Sequence, residues 1–478
     1  MRGATMKIAV LLLCLLLQPL LSVSSLAQTV TRSDMKDRTA VQVAVYNSNL
    51  GLVKETRRMD LPVGGGELRF TDVASRILPS SVHVASMNHP DGFSVVEQTY
   101  AYDLMNTKSL LDRYVGRQIK IVTWNETHDR RDEVEATLLS NNEDQIFRIR
   151  DEIYLGHPGY KVLPSLPDDL VAKPTLAWSY SNRVKEPQEL EVSYLTTDMN
   201  WTAEYALLLH PDENSSDLAG WATIENRSGT AYTDAELKLI AGNVHRVGVA
   251  RDGVAAAPME MKAARASVPQ FEESPLFEYH VYDLKNKTTL KDNQSKQIRF
   301  LDAGNITVRK EFVVYGAAFQ PRKFTDEPIR QPVNVVLFFK NSKENRLGTV
   351  LPAGIVRLYT EDGKGSRQFI GEDRISHVPK DEEVRLKTGE TTELIAERIQ
   401  TDFRQLSAKL FELEWEITLR NHKDKEVSVG LIEPLTRNWK ILSNSHPFKK
   451  TDAFTIRFDV KVPRDGEAKV KYRVQVGL

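Results

Sequence analysis

Glu372, Asp373 and His377 are the best-placed side chains for chemistry, in the run Gly371-Glu-Asp-Arg-Ile-Ser-His377 followed by Pro379-Lys-Asp-Glu-Glu383. A carboxylate beside an imidazole can work as an acid and base pair or share a metal ion, and Glu372 with Asp373 could divide the acid and base roles of a hydrolase. On a strand Asp373 and His377 share a face, but strand rise sets them well over about 10 Å apart. A site would need third parties that the sequence does not identify. The spacing therefore favours a salt-bridged hairpin, and no catalytic, cofactor-binding or metal-ligating role is assigned to any residue.

Other motifs also read as structure. There is no Gly-x-Ser-x-Gly elbow and no His-Glu-x-x-His helix. Of the ten histidines, His89, His157, His210 and His446 precede proline, which places them in extended or turn backbone. Asp362-Gly-Lys-Gly lacks the spaced oxygens and closing Glu of a calcium loop and reads as a turn. Gly64-Gly-Gly66 is followed by a strand pattern, not by Gly-Lys-Ser/Thr and a helix, so it reads as a hairpin turn instead of a phosphate cradle. Of the six tryptophans, Trp201, Trp221 and Trp415 fall on inferred inward faces, whereas Trp124 and Trp439 are candidates for exposure as a sugar-stacking surface.

The elements that would position these residues are almost all strands. Between Leu190 and Arg246 four strand-like pieces follow one another, and the piece from Trp201 to Leu209 is apolar on both faces, as in a central strand. Asn106 to Tyr114 is a short helix with Asn106 or Thr107 as cap and Gly116 beyond its end. Short strands at 118–124, 134–139 and 145–149 then predict a small barrel-like insertion at about 108–160. Phe411, Leu413, Trp415, Ile417 and Leu419 alternate with Glu412, Glu414, Glu416 and Thr418, a one-face strand with a wet acidic side. Val333 to Phe339 is nearly all apolar and reads as a strand between layers. Phe458–Val462 and Val470–Val476 read as a last hairpin that stitches the C-terminus into a sheet.

The strings VSYLTTDMNWTAEY, GWATIENRSGTAYTDAELKLIAG, TLKDNQSKQI, FIGEDRISHVPKDEEVRL, QTDF and EPLTRNWKILSNSHPF resemble the bacterial family called domain of unknown function 4139. They run in order from about residue 190 to the C-terminus, roughly three-fifths of the chain. VYNSNLGLVKETRRMDLPVGGGELRFTDV and LLDRYVGRQIKI resemble the region that commonly precedes this domain. The resemblance implies a largely β, exported protein and supplies no catalytic residues.

Residues 1–27 read as a signal peptide, with Arg2 and Lys7 ahead of an apolar run and Ser25-Leu-Ala27 as the cleavage site. Residues 28–38 read as a flexible N-terminus, 39–189 as an N-terminal β domain carrying the insertion, and 190–478 as a C-terminal β-sandwich with a mobile excursion at about 248–270. The fold class is therefore mainly β, a multi-domain antiparallel sandwich architecture with very little helix. The only cysteine, Cys14, lies in the leader, which leaves no disulfide or thiolate metal site beyond it. With 64 Lys+Arg against 65 Asp+Glu, no basic excess argues for nucleic acid. The expectation is a non-enzymatic binding or scaffolding protein of the cell envelope, in the periplasm or at the cell surface. It has no cofactor, no transmembrane helix after signal cleavage, and a protein or envelope component as partner. An envelope hydrolase acting on glycan or peptide is the alternative, and an outer-membrane β-barrel ranks third.

Overall fold

The computed structural model describes residues 29–101, 106–125, 129–167, 173–242, 244, 271–276, 279–318, 320, 327–436 and 438–477. The leader expected at 1–27 and the excursion expected at 248–270 lie outside these residues. The described chain is strands almost throughout, with one α-helix, Thr107–Arg113, and three short 3-10 turns.

The largest core is shared by strands from several sheets. One sheet orders Phe271–Leu276, Tyr279–Leu284, Tyr232–Ala241, Arg38–Tyr46, Leu50–Met59, Gln188–Thr196 and His83–Ser86. It thus joins strands from both sides of residue 190. A four-stranded sheet orders Thr29–Ser33, Gly64–Thr71, Thr175–Asn182 and Phe93–Ala101. Val43, Val53 and Tyr194 of the first sheet, Phe70 and Trp178 of the second, and Trp201 and Tyr205 of a third belong to one buried cluster. Alternating apolar residues on each strand generate it, since successive side chains of a strand point to opposite faces.

The third sheet holds thirteen strands and contains most of the C-terminal half. Met199–Leu209 is central in it, between Ser215–Asn226 and Gly354–Glu361. Ile329–Lys340 buries side chains on both faces, as the apolar run requires. Leu410–Asn421 pairs with Glu383–Ser407 and Glu467–Gly477 and alternates buried with half-buried residues along its whole length. Its apolar row belongs to a second core with Phe458, Tyr472 and Val474. No sheet of the described residues closes into a barrel, and the Phe411 to Leu419 row faces this core.

A device at strand ends recurs four times. Asn182, Asn226, Asn341 and Asn421 are each at most 1 % exposed. Each side-chain amide donates to three backbone carbonyls, and two of the three are always consecutive: Leu61 and Pro62, Leu290 and Lys291, Val378 and Pro379, Val462 and Pro463. The third lies in the loop that follows the asparagine, at Val184, Thr230, Thr349 and Lys425. Each amide oxygen in turn accepts a backbone N–H from that loop. The corner satisfies polar groups that strand pairing leaves over where a strand ends.

The insertion is a unit with its own core of Leu111, Tyr114, Ile119, Ile121, Leu138 and Phe147. Asn106 caps the helix by accepting the Ser109 N–H at 2.9 Å, and Gly116, at φ +83°, turns the chain into the first strand. The strands run Glu152–Leu155, Ile146–Ile149, Arg130–Ser140, Gln118–Asn125, Tyr160–Val162 in spatial order. This is an open sheet, not the closed barrel expected, because its two edge strands, of four and three residues, are not paired with each other.

Four further expectations need correction. Residues 29–33 are not a loose N-terminus but a strand paired in parallel with Gly64–Thr71, which satisfies their backbone. Gly64 to Gly66 open that second strand instead of making a turn, and a side chain at Gly66 would strike the Tyr180 hydroxyl and the Thr29 carbonyl. Trp221 lies on the face opposite to the buried Leu218, Ala222 and Ile224, half-covered by Arg299 at 5.3 Å from its ring. Thr455–Val462 and Glu467–Gly477 are not a hairpin. The first pairs with Val427–Pro434 and the second with Leu410–Asn421, so the Pro463–Gly466 turn joins two strands that do not pair with each other. Phe458 and Tyr472 then meet across the core at 5.5 Å.

Candidate functional site

Asp373 and His377, which the sequence singles out, are held by different partners. Asp373 sits on Arg367–Ile375, opposite Val356, and accepts backbone N–H groups from Arg374 at 2.8 Å and from Lys387 at 2.7 Å. Both its oxygens are thus engaged, Oδ1 within its own strand and Oδ2 in fastening this strand to Glu383–Ser407. His377 lies past the end of the strand, where Nδ1 accepts the Ala353 N–H at 3.2 Å, so its tautomer carries the proton on Nε2. Burial, with His280 nearby as the second cause, holds its pKa below the ordinary imidazole value. Glu372 points to the other face of the strand and lies 3.6 Å from Arg357. Neighbours on one strand face opposite ways, so Glu372 and Asp373 do not flank a common point.

The buried polar cluster of the C-terminal half lies elsewhere, in Arg398, Glu433 and Tyr472, at 4, 2 and 2 % exposure. They come from three strands, Glu383–Ser407, Val427–Pro434 and Glu467–Gly477. Arg398 is ion-paired with Oε1 of Glu433, donates from Nε to Oε1 of Gln331 at 3.0 Å, and lies 5.0 Å over the Trp415 ring. Tyr472 donates its hydroxyl to Oε2 of Glu433 at 2.8 Å. Burial, followed by the Glu433 charge, pushes the Tyr472 phenol well above its ordinary range. Burial works against the Arg398 charge, but Glu433 and Tyr472 outweigh it and raise its pKa. A side chain at Gly316 would run into the Glu433 carboxylate and the Arg398 guanidinium.

This cluster floors a cleft of about 30 Å³ bordered by Ala317, Ala318, Gln320, Leu413, Trp415 and Leu435. Both oxygens of the single carboxylate are engaged, so the arrangement clamps three strands together. Sequence reasoning missed it because its members are far apart in the chain. One signal was present: Leu394, Ala396, Arg398 and Gln400 share a strand face, so Arg398 occupies a position where the pattern asks for a core residue.

A second buried charge cluster lies in the N-terminal half. Arg57, with no exposed surface, donates to the Ser33 and Thr71 carbonyls at 3.1 and 2.9 Å, pairs with Glu55 at 3.2 Å, and covers the Phe70 ring at 3.5 Å. Burial raises the Glu55 pKa against the opposing pull of Arg57 and Arg38. This network also ties strands together.

The insertion presents a different surface. Its core takes Ile119, Ile121, Ala136, Leu138, Phe147 and Ile149, so the opposite face of the sheet carries Trp124, Ile153, Leu155, Tyr160 and Val162. These are 61, 62, 83, 80 and 37 % exposed. Between them Glu133 is shared by two cations, Lys120 at 3.2 Å and Arg131 at 2.8 Å. Trp439, the other tryptophan expected at the surface, is half-buried, donates to the Ala453 carbonyl at 2.9 Å, and lies under Lys450.

A family model described as Domain of unknown function (DUF4139) matches residues 190–477. The chain belongs to this family. None of the curated proteins matches the chain. The DUF4139 region contains Asp373, His377 and the whole Arg398–Glu433–Tyr472 clamp, whereas the insertion and the Arg57 network lie ahead of it. Among the described residues, no three His, Cys, Asp or Glu side chains group as a metal site and no helix is long and apolar enough to cross a membrane.

Proposed function

We propose that this DUF4139 protein is an exported, non-enzymatic binding or scaffolding protein of the bacterial cell envelope, in the periplasm or at the cell surface. Its partner is a protein or an envelope component. The observation that carries the reading is the insertion: a small sheet with its own core whose outer face exposes Trp124, Ile153, Leu155, Tyr160 and Val162. Large apolar side chains exposed on a solvent face mark interaction surfaces, and here they stand on the two edge strands and on Gln118–Asn125 beside one of them. The sheets behind it, which we read as stacked sandwich layers, supply a rigid support. The saturated hydrogen bonding of the Arg398–Glu433–Tyr472 clamp fits a supporting role better than proton transfer.

The leader read at 1–27 is the basis for export. The test is crosslinking in intact cells with the wild-type chain and with a Trp124→Ser, Leu155→Ser double variant. Both sites are solvent-exposed, so folding is expected to be unchanged. The proposal predicts a crosslinked partner that the variant loses at unchanged melting temperature. A turnover reaction lost on substituting Glu433 or Asp373, with that partner unaffected, would favour the hydrolase instead.

A further inference from the structure

We infer that the insertion sheet binds an extended glycan chain, built of sugars with equatorial ring substituents, on a platform made by Trp124 and Tyr160. The inference rests on the reading of the insertion as the binding surface and names the class of envelope component it takes. Tyr160 pairs with Val122 in an antiparallel ladder, so Trp124, two residues further along, is its diagonal neighbour on the same face, about 7–8 Å away. The two rings are 61 and 80 % exposed, whereas Val122, which adjoins both on that face, is 9 % exposed. Tyr160 is held in place. A side chain at Gly159 would strike Ile121, Thr123 and the Val122 carbonyl, so glycine lets the chain lie close against the neighbouring strand here. His157 accepts the Gly159 N–H on Nδ1 at 3.1 Å, and the Lys161 amine turns inward to the His157 carbonyl and the Phe147 ring. With Lys161 fixed on the inner face, Tyr160 and Val162 on either side of it face outward.

A polar strip runs along the other flank. Arg131 stands opposite Trp124, and Glu133 opposite Val122. Glu133 is fixed by Arg131 and Lys120, while the side chains of Arg131, Glu133 and Lys120 stay 53, 37 and 55 % exposed. A flat apolar surface beside a fixed row of donors and acceptors matches a sugar ring, whose C–H groups form an apolar face and whose hydroxyls rim it. Equatorial substituents leave that face free to stack, and equatorial linkages keep the chain extended across neighbouring rings. A dry protein or lipid contact would have to bury the Arg131–Glu133–Lys120 network away from water, which is costly for charges. A nucleic-acid strand fits less well, because Lys120 and Arg131 are balanced by Glu133 and by Glu135, which stands opposite Lys120, and no run of unneutralised cations tracks a phosphate backbone.

Calorimetric titration of the purified full chain with cellohexaose and with chitohexaose, the extended equatorial chains of glucose and of N-acetylglucosamine, tests this. At least one of them should bind, and Trp124→Ala and Tyr160→Ala should each weaken binding about ten-fold or more, as loss of a central ring does at other binding surfaces. Trp124→Phe should recover part of the loss because a stacking face returns. Ile153→Ser, on the opposite edge of the sheet, should leave the affinity unchanged. Melting curves matching wild type confirm that the variants are folded. Absence of binding to both oligosaccharides, affinity undiminished by removal of either ring, an equal loss from Ile153→Ser, or uptake by phospholipid vesicles without sugar binding would each overturn the inference. The partner capture described above is read separately: no sugar binding together with a crosslinked protein that the Trp124→Ser, Leu155→Ser variant loses would remove the glycan and leave the binding surface standing.

Discussion

Tyr472 and Glu433, on the strands Glu467–Gly477 and Val427–Pro434, are joined by a 2.8 Å hydrogen bond from the phenol to Oε2, while Oε1 is ion-paired with Arg398. Removing one member of a buried ion pair strands the other, at a cost of about 3–5 kcal/mol. Removing a neutral donor to a charge costs about 1.5–3 kcal/mol. Glu433→Gln should therefore destabilise more than Tyr472→Phe. Urea unfolding of both variants checks the order, and a Glu433→Gln effect within about 0.5 kcal/mol of wild type, the range of ordinary surface changes, would show that the triad is not a clamp.

The asparagine corners make a second prediction. Asn421→Ala removes the donor to the Lys425, Val462 and Pro463 carbonyls at once, and should cost more than about 2 kcal/mol. Asn421→Asp should do no better, because a carboxylate cannot donate to a carbonyl. Asn142→Ala, at an exposed position, should stay within about 0.5 kcal/mol. Equal unfolding midpoints for all three would refute the role of the corner.

Glu414 supplies a pH signature. Burial would raise its pKa, but hydrogen bonds from Lys471, Thr401 and Arg473 overcome this and bring it down to about 2 from 4.5. A carboxyl depressed in the folded state contributes stability that is complete above its ordinary value and is lost as pH falls through the folded one. Wild type should therefore lose more stability than Glu414→Gln between pH 4.5 and about 2. Melting temperatures across that window test it, and parallel curves for the two proteins would contradict it.

The C-terminal strand Glu467–Gly477 pairs on both sides, with Leu410–Asn421 and with Asn438–Asn444, and contributes Val470, Tyr472, Val474 and Val476 to the second core. Truncation before Val470 should abolish the folded C-terminal half. Retained native-like near-ultraviolet circular dichroism in the truncated chain would count against this.

Much of the β architecture was legible because alternation is local. The Phe411 to Leu419 row, the Trp201 strand and the Asn106-capped helix all follow from spacing within a dozen residues. The acidic side of the Phe411 strand is not simply wet, however. Glu412, Glu414 and Glu416 are each within ion-pair distance of Arg473, Lys471 or Lys469 on the next strand, and only pairing reveals that. Trp221 was placed on the wrong face because one residue of parity reverses every side chain of a strand. The Pro463–Gly466 turn has hairpin composition, yet the flanking strands find partners elsewhere, which no local signal records. The Arg398 clamp is assembled by pairing among distant strands, so only the misplaced parity of Arg398 hinted at it.

The central claim is that the insertion is the binding part and the sheets behind it are its support. It joins Phe93–Ala101 to Thr175–Asn182, which pair with each other and can be connected directly. The decisive measurement replaces residues 106–167 by a short Gly/Ser linker and compares partner capture and thermal unfolding with the intact chain. The account predicts that the main unfolding transition survives while partner capture disappears. Capture at the intact level by the linker variant would contradict it.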